Sequence, residues 1–519
     1  MRTVAVVDAA QAAEWDERAR STARIPSRVL METAGRAAAQ VVAHEFGRAL
    51  GAGVLVAAGH GNNGGDGWVL ARALAATGVP VLAVETAGKR TPDCTANRAL
   101  ALASGVVLLD PEDAWPDCGV LVDALLGTGA SGAPRGAMQH VVQRLGAHGA
   151  PIAAVDGPTG LDLTTGAAHE PCRAALTVTF GGVRRGHLLG RAWCGKIVVV
   201  DIGFPPPDAS WPVLFDDLRA RQALPPFAVD MHKGERGRVL VIGGDQGMAG
   251  AALHAARAAL EAGAGLVKLA AHPASVAAAQ AASPDVLTIP TALGPDIETA
   301  LAEGIAWADA VVLGPGLGRG QERTAFARAV LERAKVPLVL DADALQAGLE
   351  VLAAGAAPRV LTPHAGEFSA VFPKLVKSLE ADRFAACRDA AGLLASVLSA
   401  RSVLSALLLK GVPTVVCSSD QACLVTASGN PALATGGSGD LLSGFIAAFL
   451  ARGVGVAEAA ALGAQVLGRG AEIAAAQLTV RGTRPADVLA ALPELWRSWS
   501  SLEAPLPPLL LALEPPSLT

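Results

Sequence analysis

The stretch Gly429-Asn430-Pro431-Ala432-Leu433-Ala434-Thr435-Gly436-Gly437-Ser438-Gly439-Asp440 runs directly into an apolar segment of helical length, residues 441–451. Glycines and small residues before a helix leave several backbone N–H groups pointing toward one ligand. Together with the helix dipole they form an anion hole suited to a phosphoryl group in transfer. Asp440 stands at its mouth, where a carboxylate can accept a proton from a substrate hydroxyl. Helix N-capping by Asp440 is the simpler alternative, but a cap does not require this run of Gly, Ser and Thr.

Short apolar runs rich in Val and Leu recur along the whole chain, and each is followed by an Ala-rich stretch of helical length. Examples are residues 54–58, 120–123 and 152–156 in the first half, and 238–242 and 338–341 in the second. Continuously apolar strands that alternate with helices predict largely parallel sheets covered on both faces. The predicted fold class is therefore α/β in both halves.

A proline-rich stretch, residues 204–229, separates the two halves. Proline at this density cannot continue a central strand or helix, so the stretch is typical of a linker. We predict one domain over residues 1–210 and a second over residues 225–500. Prolines interrupt the apolar residues of 501–519, for which we predict a poorly ordered tail.

The overall composition excludes several classes of protein. The 42 Lys and Arg against 47 Asp and Glu leave a net charge of −5, and Tyr is absent, which argues against binding of nucleic acid. No apolar run approaches the ~20 residues that span a bilayer, and the first 20 residues do not resemble a signal peptide. Seven cysteines without a C-x-x-C pair predict a reduced cytoplasmic chain with neither a disulfide framework nor structural zinc.

The first half contains a glycine-rich loop, AGHGNNGGDG at residues 58–67, between a predicted strand and a predicted helix. Gly59, Gly61 and Gly64 satisfy the G-x-G-x-x-G pattern, and Glu85 follows about 20 residues later, as in dinucleotide-binding folds. This pattern alone favours an NAD-dependent oxidoreductase only weakly. A tight strand-to-helix turn without a ligand is the alternative.

Two further strands of the first half end in polar residues. Asp123 precedes the small-residue loop 124–132, and Asp156 precedes Gly157-Pro158-Thr159-Gly160. Because ligands bind at the carboxyl ends of parallel strands, these residues are expected near the glycine-rich loop. Oxygen donors from Asn63, Asp123 and Thr159 would suit a hard cation, although an aspartate at a strand end is often only a helix cap.

In this order the three motifs resemble the N-terminal epimerase domain of the NAD(P)H-hydrate repair proteins, over most of residues 1–205. The resemblance implies a Rossmann-like three-layer α/β/α domain, a catalytic substrate contact by Asp156, and a potassium ion held by Asn63, Asp123 and Thr159. The implied hydrate-binding residues are Asn62, Asn63, Gly64, Gly65, Asp66, Gly127, Thr128, Gly129, Ala130, Ser131, Gly132, Ala133 and Asp156. Arg184 stands where the family usually has Lys, and arginine cannot shuttle a proton. If that position is catalytic rather than electrostatic, this chain lacks the family's proton carrier there.

The second half carries several glycine-flanked motifs at predicted strand ends. They include GPGLG at 314–318, LDADAL at 340–345, LTPHAGE at 361–367 and LKGVPT at 409–414. The two acids of LDADAL are two residues apart, so in an extended segment they would share a face. No Walker A motif occurs, which excludes a P-loop NTPase.

Together with ATGGSGD at 434–440, these motifs resemble the ribokinase-like fold and, within it, the ADP-dependent NAD(P)H-hydrate dehydratases, over about residues 230–495. The resemblance implies that the hydrate contacts Ala251, Gly318, His364 and Asp440. It implies that the adenine nucleotide contacts Lys410, Gly411, Val412, Pro413, Thr414, Gly436, Gly437, Ser438 and Gly439.

The two resemblances together imply a bifunctional repair enzyme for hydrated NADH and NADPH (NADHX and NADPHX). One domain would epimerise the R and S hydrates, and the other would dehydrate the S hydrate at the expense of ADP, releasing AMP and phosphate. We expect ADP, Mg²⁺ and K⁺ as cofactors and a homo-oligomer. The alternatives are a ribokinase-like small-molecule kinase with an accessory Rossmann-like nucleotide-binding domain, the oxidoreductase, and a first domain that binds nucleotide without catalysis.

Overall fold

The structure of this chain is a computed structural model that describes residues 3–398 and 403–517. The chain divides into two compact units. Unit 1 is Met1–Val213 with Ala504–Pro515, and unit 2 is Leu214–Glu503 with Pro516–Thr519. Both units are α/β with predominantly parallel sheets, which confirms the predicted fold class.

Unit 1 begins with nine strands and seven helices. These are β1 (Val6–Val7), α1 (Ala9–Ser21), α2 (Ser27–Phe46), β2 (Val54–Ala58), α3 (Asn62–Ala75), β3 (Val81–Glu85), α4 (Pro92–Ala103), β4 (Val107–Leu108), β5 (Val120–Ala124), α5 (Ala137–Ala147), β6 (Ile152–Val155), β7 (Leu176–Phe180), β8 (Val183–Arg184), α6 (Arg185–Leu189), α7 (Arg191–Cys194) and β9 (Lys196–Val200). Every residue of β2, β5, β6 and β7 is buried, as expected for parallel strands covered by helices on both faces.

Unit 2 contains the next run of elements. These are β10 (Val213–Leu214), α8 (Asp217–Ala223), β11 (Arg238–Ile242), α9 (Ala249–Glu261), β12 (Leu266–Ala271), α10 (Pro273–Ala282), β13 (Leu287–Pro290), α11 (Thr299–Trp307), β14 (Ala310–Leu313), α12 (Gln321–Arg333), β15 (Leu338–Leu340), α13 (Leu349–Leu352), β16 (Arg359–Leu361), α14 (Ala365–Val371), α15 (Val376–Ala381), α16 (Arg383–Leu398), β17 (Ser405–Leu409), β18 (Thr414–Ser418), β19 (Leu424–Thr426), α17 (Ser438–Ala451), α18 (Val456–Leu478) and α19 (Pro485–Ser500). A last strand, β20 (Leu509–Leu513), belongs to unit 1.

The sheet of unit 1 has the strand order β20-β9-β7-β6-β5-β2-β3-β4. All pairs are parallel except β20 with β9. From β2 the chain proceeds outward through β3 and β4, and from β5 it proceeds in the opposite direction. The loops after β2 and β5 therefore separate at this point and leave a crevice, which is where open α/β sheets bind ligands.

The sheet of unit 2 has the order β10-β19-β18-β17-β16-β15-β14-β11-β12-β13, parallel from β13 to β17 and antiparallel from β17 to β19. The chain adds β12 and β13 on one side of β11 and β14 to β17 on the other, so the order of strand addition reverses between β11 and β14. Helix α17, which follows the glycine-rich stretch, is almost entirely buried from Leu441 to Leu450. It packs closely on α9, since a Cβ at Gly444 would lie 2.1 Å from the carbonyl oxygen of Ala255. This packing holds the start of α17 near the reversal point.

Two expectations about the end of the chain and the cysteines are wrong. The predicted disordered tail contains β20, which pairs with β9 and lets Arg191 donate hydrogen bonds to the carbonyls of Leu513 and Glu514. Cys417 and Cys423 form a disulfide, because the antiparallel turn between β18 and β19 brings their Cα atoms to 4.4 Å, within the range that a disulfide spans. In the described part of the chain, every helix is too short or too polar to cross a membrane.

We expect Leu511→Ala to loosen β20, because Leu511 is only 9% exposed on an otherwise peripheral strand. Removing a buried leucine side chain costs about 2 kcal/mol at the low end of the usual range. Exchange of the β20 amides should therefore accelerate about thirtyfold in hydrogen-exchange mass spectrometry. Leu506→Ala is the control, since Leu506 is 83% exposed; equal acceleration in both variants would show that Leu511 does not hold the strand.

Candidate active sites in the two units

The glycine-rich loop of unit 1 is shaped by close backbone contacts. A Cβ at Gly64 would lie 1.9 Å from the carbonyl oxygen of Gly59, and a Cβ at Gly59 would lie 2.0 Å from that of Leu125. Only glycine fits at these two positions, because the start of α3 is packed against the end of β2 and the loop after β5. Part of the G-x-G-x-x-G pattern is therefore explained by packing alone.

Glu85 does not behave as the ribose-binding acid of a dinucleotide fold. Its carboxylate is paired with Arg90 at 2.8 Å and with Arg98 at 2.6 Å. A carboxylate held by two guanidinium groups has little remaining capacity to accept hydrogen bonds from a ribose. The structure thus removes one of the two sequence features that favoured an oxidoreductase.

A cavity of about 640 Å³ opens between the loops after β2, β5 and β6 of unit 1. Of the predicted hydrate-binding residues, its lining includes Asn62, Asn63, Asp66, Gly127, Thr128, Gly129, Ala130 and Asp156. Gly64 and Gly65 are buried in the first turn of α3, and residues 131–133 are exposed. Gly132 lines a much smaller cavity beside Thr159. The structure therefore brings together most of this predicted set.

Asp123 is fully buried at the end of β5 and held by the loop after β6. It accepts hydrogen bonds from the Thr159 backbone N–H and hydroxyl, both at 2.7 Å, and from the Leu125 N–H at 3.2 Å. Burial raises the pKa of Asp123 above its usual value, and the hydrogen bonds from Thr159 offset only part of this rise. The nearby amide of Asn63 is buried, and both of its polar atoms lack a partner in the described structure. Because a buried unpaired amide is costly, this orphaned oxygen suggests an additional ligand.

Asp156 adopts a left-handed backbone conformation, φ 64°, immediately after β6. This conformation turns its carboxylate back toward the loop after β5. The carboxylate accepts hydrogen bonds from the N–H and hydroxyl of Thr128 at 2.7 and 2.6 Å, and from Thr179 at 3.3 Å. Arg184 lies 3.2 Å from the same carboxylate. Such strained residues are characteristic of functional sites.

His187 holds the backbone of Asp156 in place, a role that the sequence analysis did not predict. Its Nε2 donates to the Asp156 carbonyl at 2.7 Å, and its Nδ1 accepts from the Arg184 N–H at 3.2 Å. Burial lowers the pKa of His187 to about 4, so it is neutral near pH 7. Its position three residues after Arg184 was the available signal, but the sequence could not show which backbone groups it contacts.

In unit 2, Asp440 is the third residue of α17 and does not cap the helix. The capping position is occupied by Gly437, and its φ of 98° is a conformation that glycine adopts without strain. No side chain caps this end of the helix. Burial, followed by the charge of Asp341, raises the pKa of Asp440 to about 7, while Lys410 lowers it. The capping alternative is thereby excluded, and a carboxylate that ionises near neutrality lies at the glycine-rich turn.

Lys410 brings a positive charge to the same turn. Its Nζ lies 2.9 Å from Asp341 Oδ1 and 3.4 Å from Glu367 Oε2. A Cβ at Gly439 would lie 3.4 Å from this Nζ, so the ammonium group is directly beside the glycine turn. Burial lowers the pKa of Lys410, but the two carboxylates outweigh it and raise the pKa. The ammonium group of Lys410 is therefore charged and lies beside the glycine turn.

The expectation that Asp341 and Asp343 share a face is wrong. The chain turns at Ala342, which has φ 51°, and enters a 3-10 helix. Asp341 accepts from Lys410 and from the Ser443 hydroxyl at 2.6 Å, whereas Asp343 accepts from the Gly318 N–H at 3.0 Å. One acid thus supports the glycine turn and the other supports the loop after β14.

The remaining predicted residues of unit 2 have mixed positions. His364 caps α14, since its Nδ1 accepts from the N–H groups of Gly366 and Glu367. Ala251 is half-buried near the start of α9, 3.4 Å from the Cβ position at Gly316. The segment 410–414 is held by Arg383, which donates to the carbonyl of Lys410 at 3.1 Å. Asp341, Glu367 and Ser443 complete this site, although the sequence motifs assigned them no role.

These two sites define a two-domain α/β enzyme, one unit of which carries a polar crevice and the other a glycine-rich turn with an acid and a lysine. The family described as NAD(P)H-hydrate dehydratase matches residues 239–494, and the YjeF-related protein N-terminus matches residues 27–186. The bifunctional NAD(P)H-hydrate repair enzyme Nnr of Pyrobaculum aerophilum is 38% identical over 92% of this chain and 95% of its own length. The Nnr protein of Escherichia coli K12 is 35% identical over 89% of this chain and 88% of its own.

The chain belongs to the family of bifunctional NAD(P)H-hydrate repair enzymes. Among solved structures, the ADP/ATP-dependent NAD(P)H-hydrate dehydratase of Bacillus subtilis, co-crystallised with ATP and Mg²⁺, is 27% identical with a TM-score of 0.48. That comparison covers 56% of this chain and 98% of the Bacillus protein.

We expect Gly64→Ser to destabilise unit 1 and Gly61→Ser to leave it unchanged. A side chain at residue 64 would collide with the Gly59 carbonyl, whereas nothing lies within 4 Å of a Cβ at Gly61, which caps α3. Forced overpacking costs about 3 kcal/mol, while serine is a favourable capping residue. Denaturant unfolding of the two variants measures the difference. Equal stabilities would contradict the packing explanation of this loop.

Proposed function

We propose that this chain repairs hydrated NADH and NADPH: unit 1 epimerises the R and S hydrates, and unit 2 dehydrates the S hydrate with ADP as phosphoryl donor. The observation that carries the proposal is the arrangement at the glycine turn, where Asp440 and Lys410 meet beside Gly439. A base, a half-buried cation and backbone N–H groups at one helix start are what phosphoryl transfer to a hydroxyl requires.

In unit 2 each group has a separate task. The ionised carboxylate of Asp440 accepts the proton of the substrate hydroxyl. The N–H groups of Gly437 and Gly439 lack helical partners and bind the transferred phosphoryl oxygens, whereas the Ser438 N–H donates to the Thr435 carbonyl at 3.5 Å. Lys410 adds positive charge beside them, and Asp341 together with Ser443 fixes the position of its ammonium group.

The proposed reaction proceeds in two steps. The hydroxyl oxygen, after losing its proton to Asp440, forms a bond to the β-phosphorus of ADP, and AMP leaves. Phosphate is a far better leaving group than hydroxide, so the carbon–oxygen bond then breaks with assistance from the electron pair of the ring nitrogen. The neighbouring ring carbon loses a proton, which restores the double bond of NAD(P)H and releases phosphate.

Bound Mg²⁺ would neutralise charge on the nucleotide phosphates. Carboxylates of Glu367 and Asp440 supply hard oxygen atoms at this edge of the site. Among the described residues there is no group of three or more His, Cys, Asp or Glu side chains that could hold a metal. Magnesium that is bound mainly through phosphates and water, with one or two carboxylates, is compatible with that finding.

In unit 1 we propose that the hydrate occupies the cavity lined by Asn62, Asp66, Thr128 and Asp156, and that K⁺ binds beside it. The unpaired amide oxygen of Asn63 supports a cation at this position, together with the buried oxygens of Asp123 and Thr159. The relatives' names describe a bifunctional NAD(P)H-hydrate repair enzyme, and this chain aligns with them across both units. A ribokinase-like kinase would use the same turn but would release a stable phosphate ester, and it gives unit 1 only an accessory nucleotide-binding role.

The deciding experiment incubates the full chain with chemically hydrated NADH, with and without ADP, and follows nicotinamide absorbance and inorganic phosphate. Wild type should restore NADH only with ADP. Asp440→Asn should lower the rate about a thousandfold, because a general base contributes 10²- to 10⁴-fold. ADP binding, measured by calorimetry, should persist in this variant.

Asp420→Asn is the matched control, since Asp420 is an exposed acid on a turn of the same unit. It should retain the wild-type rate. Formation of a stable phosphorylated product by wild type would instead establish the kinase. Normal turnover by Asp440→Asn would refute Asp440 as the base.

The potassium site predicts selective stabilisation of unit 1. At a K⁺ concentration a hundredfold above its Kd, binding adds about 2.7 kcal/mol to the folded state. Thermal unfolding and epimerisation should therefore respond to K⁺ more than to Na⁺ at equal ionic strength. Asn63→Leu, which keeps the side-chain size but removes the oxygen, should abolish the difference between the two ions. A retained K⁺ effect in this variant would place the ion elsewhere.

A homo-oligomer and a cytoplasmic location, where NADH and NADPH are used, are part of the same proposal. Sedimentation analysis of the full chain tests the first. Fractionation of the source cells tests the second.

A further inference from the structure

The cavity of unit 1 is lined by several ionisable side chains, and hydrogen bonding distinguishes their roles. We propose that Asp66 is the proton-transfer residue of the epimerase, and that Asp156 and Arg184 are fixed charges that orient the hydrate. The inference rests on the proposed epimerase function. It assigns Asp66 a chemical role beyond lining the pocket.

Asp156 has no free capacity to act as a base. A carboxylate has about four acceptor sites, and those of Asp156 accept from Thr128 twice, from Thr179 once and from Arg184 once. Burial raises the pKa of Asp156, but Arg184 and the Thr128 hydrogen bonds outweigh burial and lower it. This carboxylate therefore stays ionised and engaged.

The guanidinium group of Arg184 is likewise occupied by hydrogen bonds. Its Nε donates to the Thr128 hydroxyl at 2.8 Å, one terminal nitrogen donates to the Gly182 carbonyl at 3.1 Å, and the other to Asp156 at 3.2 Å. A guanidinium group is not deprotonated in proteins. The replacement of lysine by Arg184 therefore removes a proton carrier at this position but retains the charge. His187, with both ring nitrogens bonded to backbone, is excluded as well.

Asp66 differs from these groups in every respect. It lies on α3, lines the cavity, and makes no side-chain hydrogen bond within residues 3–398 and 403–517. Burial first, and then the charges of Asp156 and Asp16, raise the pKa of Asp66 well above its usual range. Asp16, the other acid of the lining, is paired with Arg20 at 2.9 Å. Asp66 is thus the unpaired acid of the lining, and its raised pKa favours the protonated form that can donate to a ligand.

His60 is the one rival among the described lining residues, because its Nδ1 is buried without a partner. Its ring, however, is packed against Gly88, where a Cβ would lie 2.7 Å away. This contact restricts movement of the ring toward a substrate. Substitution of each residue in turn distinguishes Asp66 from His60.

The proposed step exchanges one carbon–oxygen bond for another without oxidation or reduction. The carboxyl proton of Asp66 passes to the hydroxyl of the hydrate, and the carbon–oxygen bond breaks to release water. The electron pair of the ring nitrogen forms a C=N bond, and the resulting cation is balanced by the Asp66 and Asp156 carboxylates. Water then adds to the opposite face of the ring, and its proton returns to Asp66.

The test follows conversion of the R hydrate to the S hydrate by the full chain in ¹⁸O-labelled water. Wild type should interconvert the hydrates with incorporation of ¹⁸O at the hydroxyl carbon. Asp66→Asn should reduce the rate at least a hundredfold, with hydrate affinity within about threefold of wild type. His60→Asn should keep most of the rate. ADP-dependent dehydration of the S hydrate should be unchanged in both variants, because that reaction takes place in unit 2. Unchanged thermal unfolding of unit 1 confirms that both variants fold.

The pH profile provides a second readout. Because the protonated acid is the active form, epimerisation should decline as pH rises through the raised pKa of Asp66. Asp156→Asn removes a neighbouring negative charge and should move this decline to lower pH. The charged groups that line the cavity with Asp66 are Asp16, Arg20, Asp156 and Arg184. A shift in the opposite direction would refute the assignment.

The outcomes distinguish the inference from the function on which it rests. Absence of epimerisation by wild type would remove the proposed function of unit 1. Epimerisation by wild type that survives in Asp66→Asn, that is lost in His60→Asn, or that proceeds without ¹⁸O incorporation would overturn the inference alone. Loss of hydrate binding in Asp66→Asn would also overturn it, since Asp66 would then serve only to bind.

Discussion

Burial of carboxylates at the ends of parallel strands is the constraint on which both sites depend. Asp123, Asp156 and Asp341 are each nearly inaccessible to water. A buried charge is tolerated only when it is paired or fully hydrogen-bonded. The partners that stabilise these acids, Thr159, Arg184 and Lys410, come from different loops. Satisfying the buried charges therefore also ties the loops together and gives each site its shape.

The acids without a paired partner in the described structure are the ones that can transfer a proton. Asp440 and Asp66 lie beside the satisfied acids but are not themselves paired in the described structure, and the pKa of each is raised. Each satisfied acid contributes to this shift: Asp341 acts on Asp440, and Asp156 acts on Asp66. The same physical device, a fixed negative charge next to a mobile proton, thus occurs in both units on unrelated motifs.

Glycines permit this arrangement by letting backbones approach where a side chain would not fit. Gly64 brings the start of α3 against β2, and Gly444 brings α17 against α9. Gly439 has a different role, since a Cβ there would meet only the ends of the Lys410 and Asp341 side chains, at van der Waals distance. Its openness therefore preserves space for a ligand, whereas Gly64 preserves the fold itself. These two purposes are indistinguishable in the one-letter sequence.

Sequence alone determined the α/β class, the glycine turn before Asp440 and the family motifs of both halves, because hydrophobic periodicity and strand-end glycines are local properties. It could not determine the strand β20, since pairing of Leu509–Leu513 with β9 depends on residues some 300 positions away. For the same reason the sequence could not predict the disulfide of Cys417, the contact of Lys410 with Asp341 or the four hydrogen bonds that Asp156 accepts. Whether an ionisable side chain is satisfied or free is set by neighbours that only the folded chain brings together.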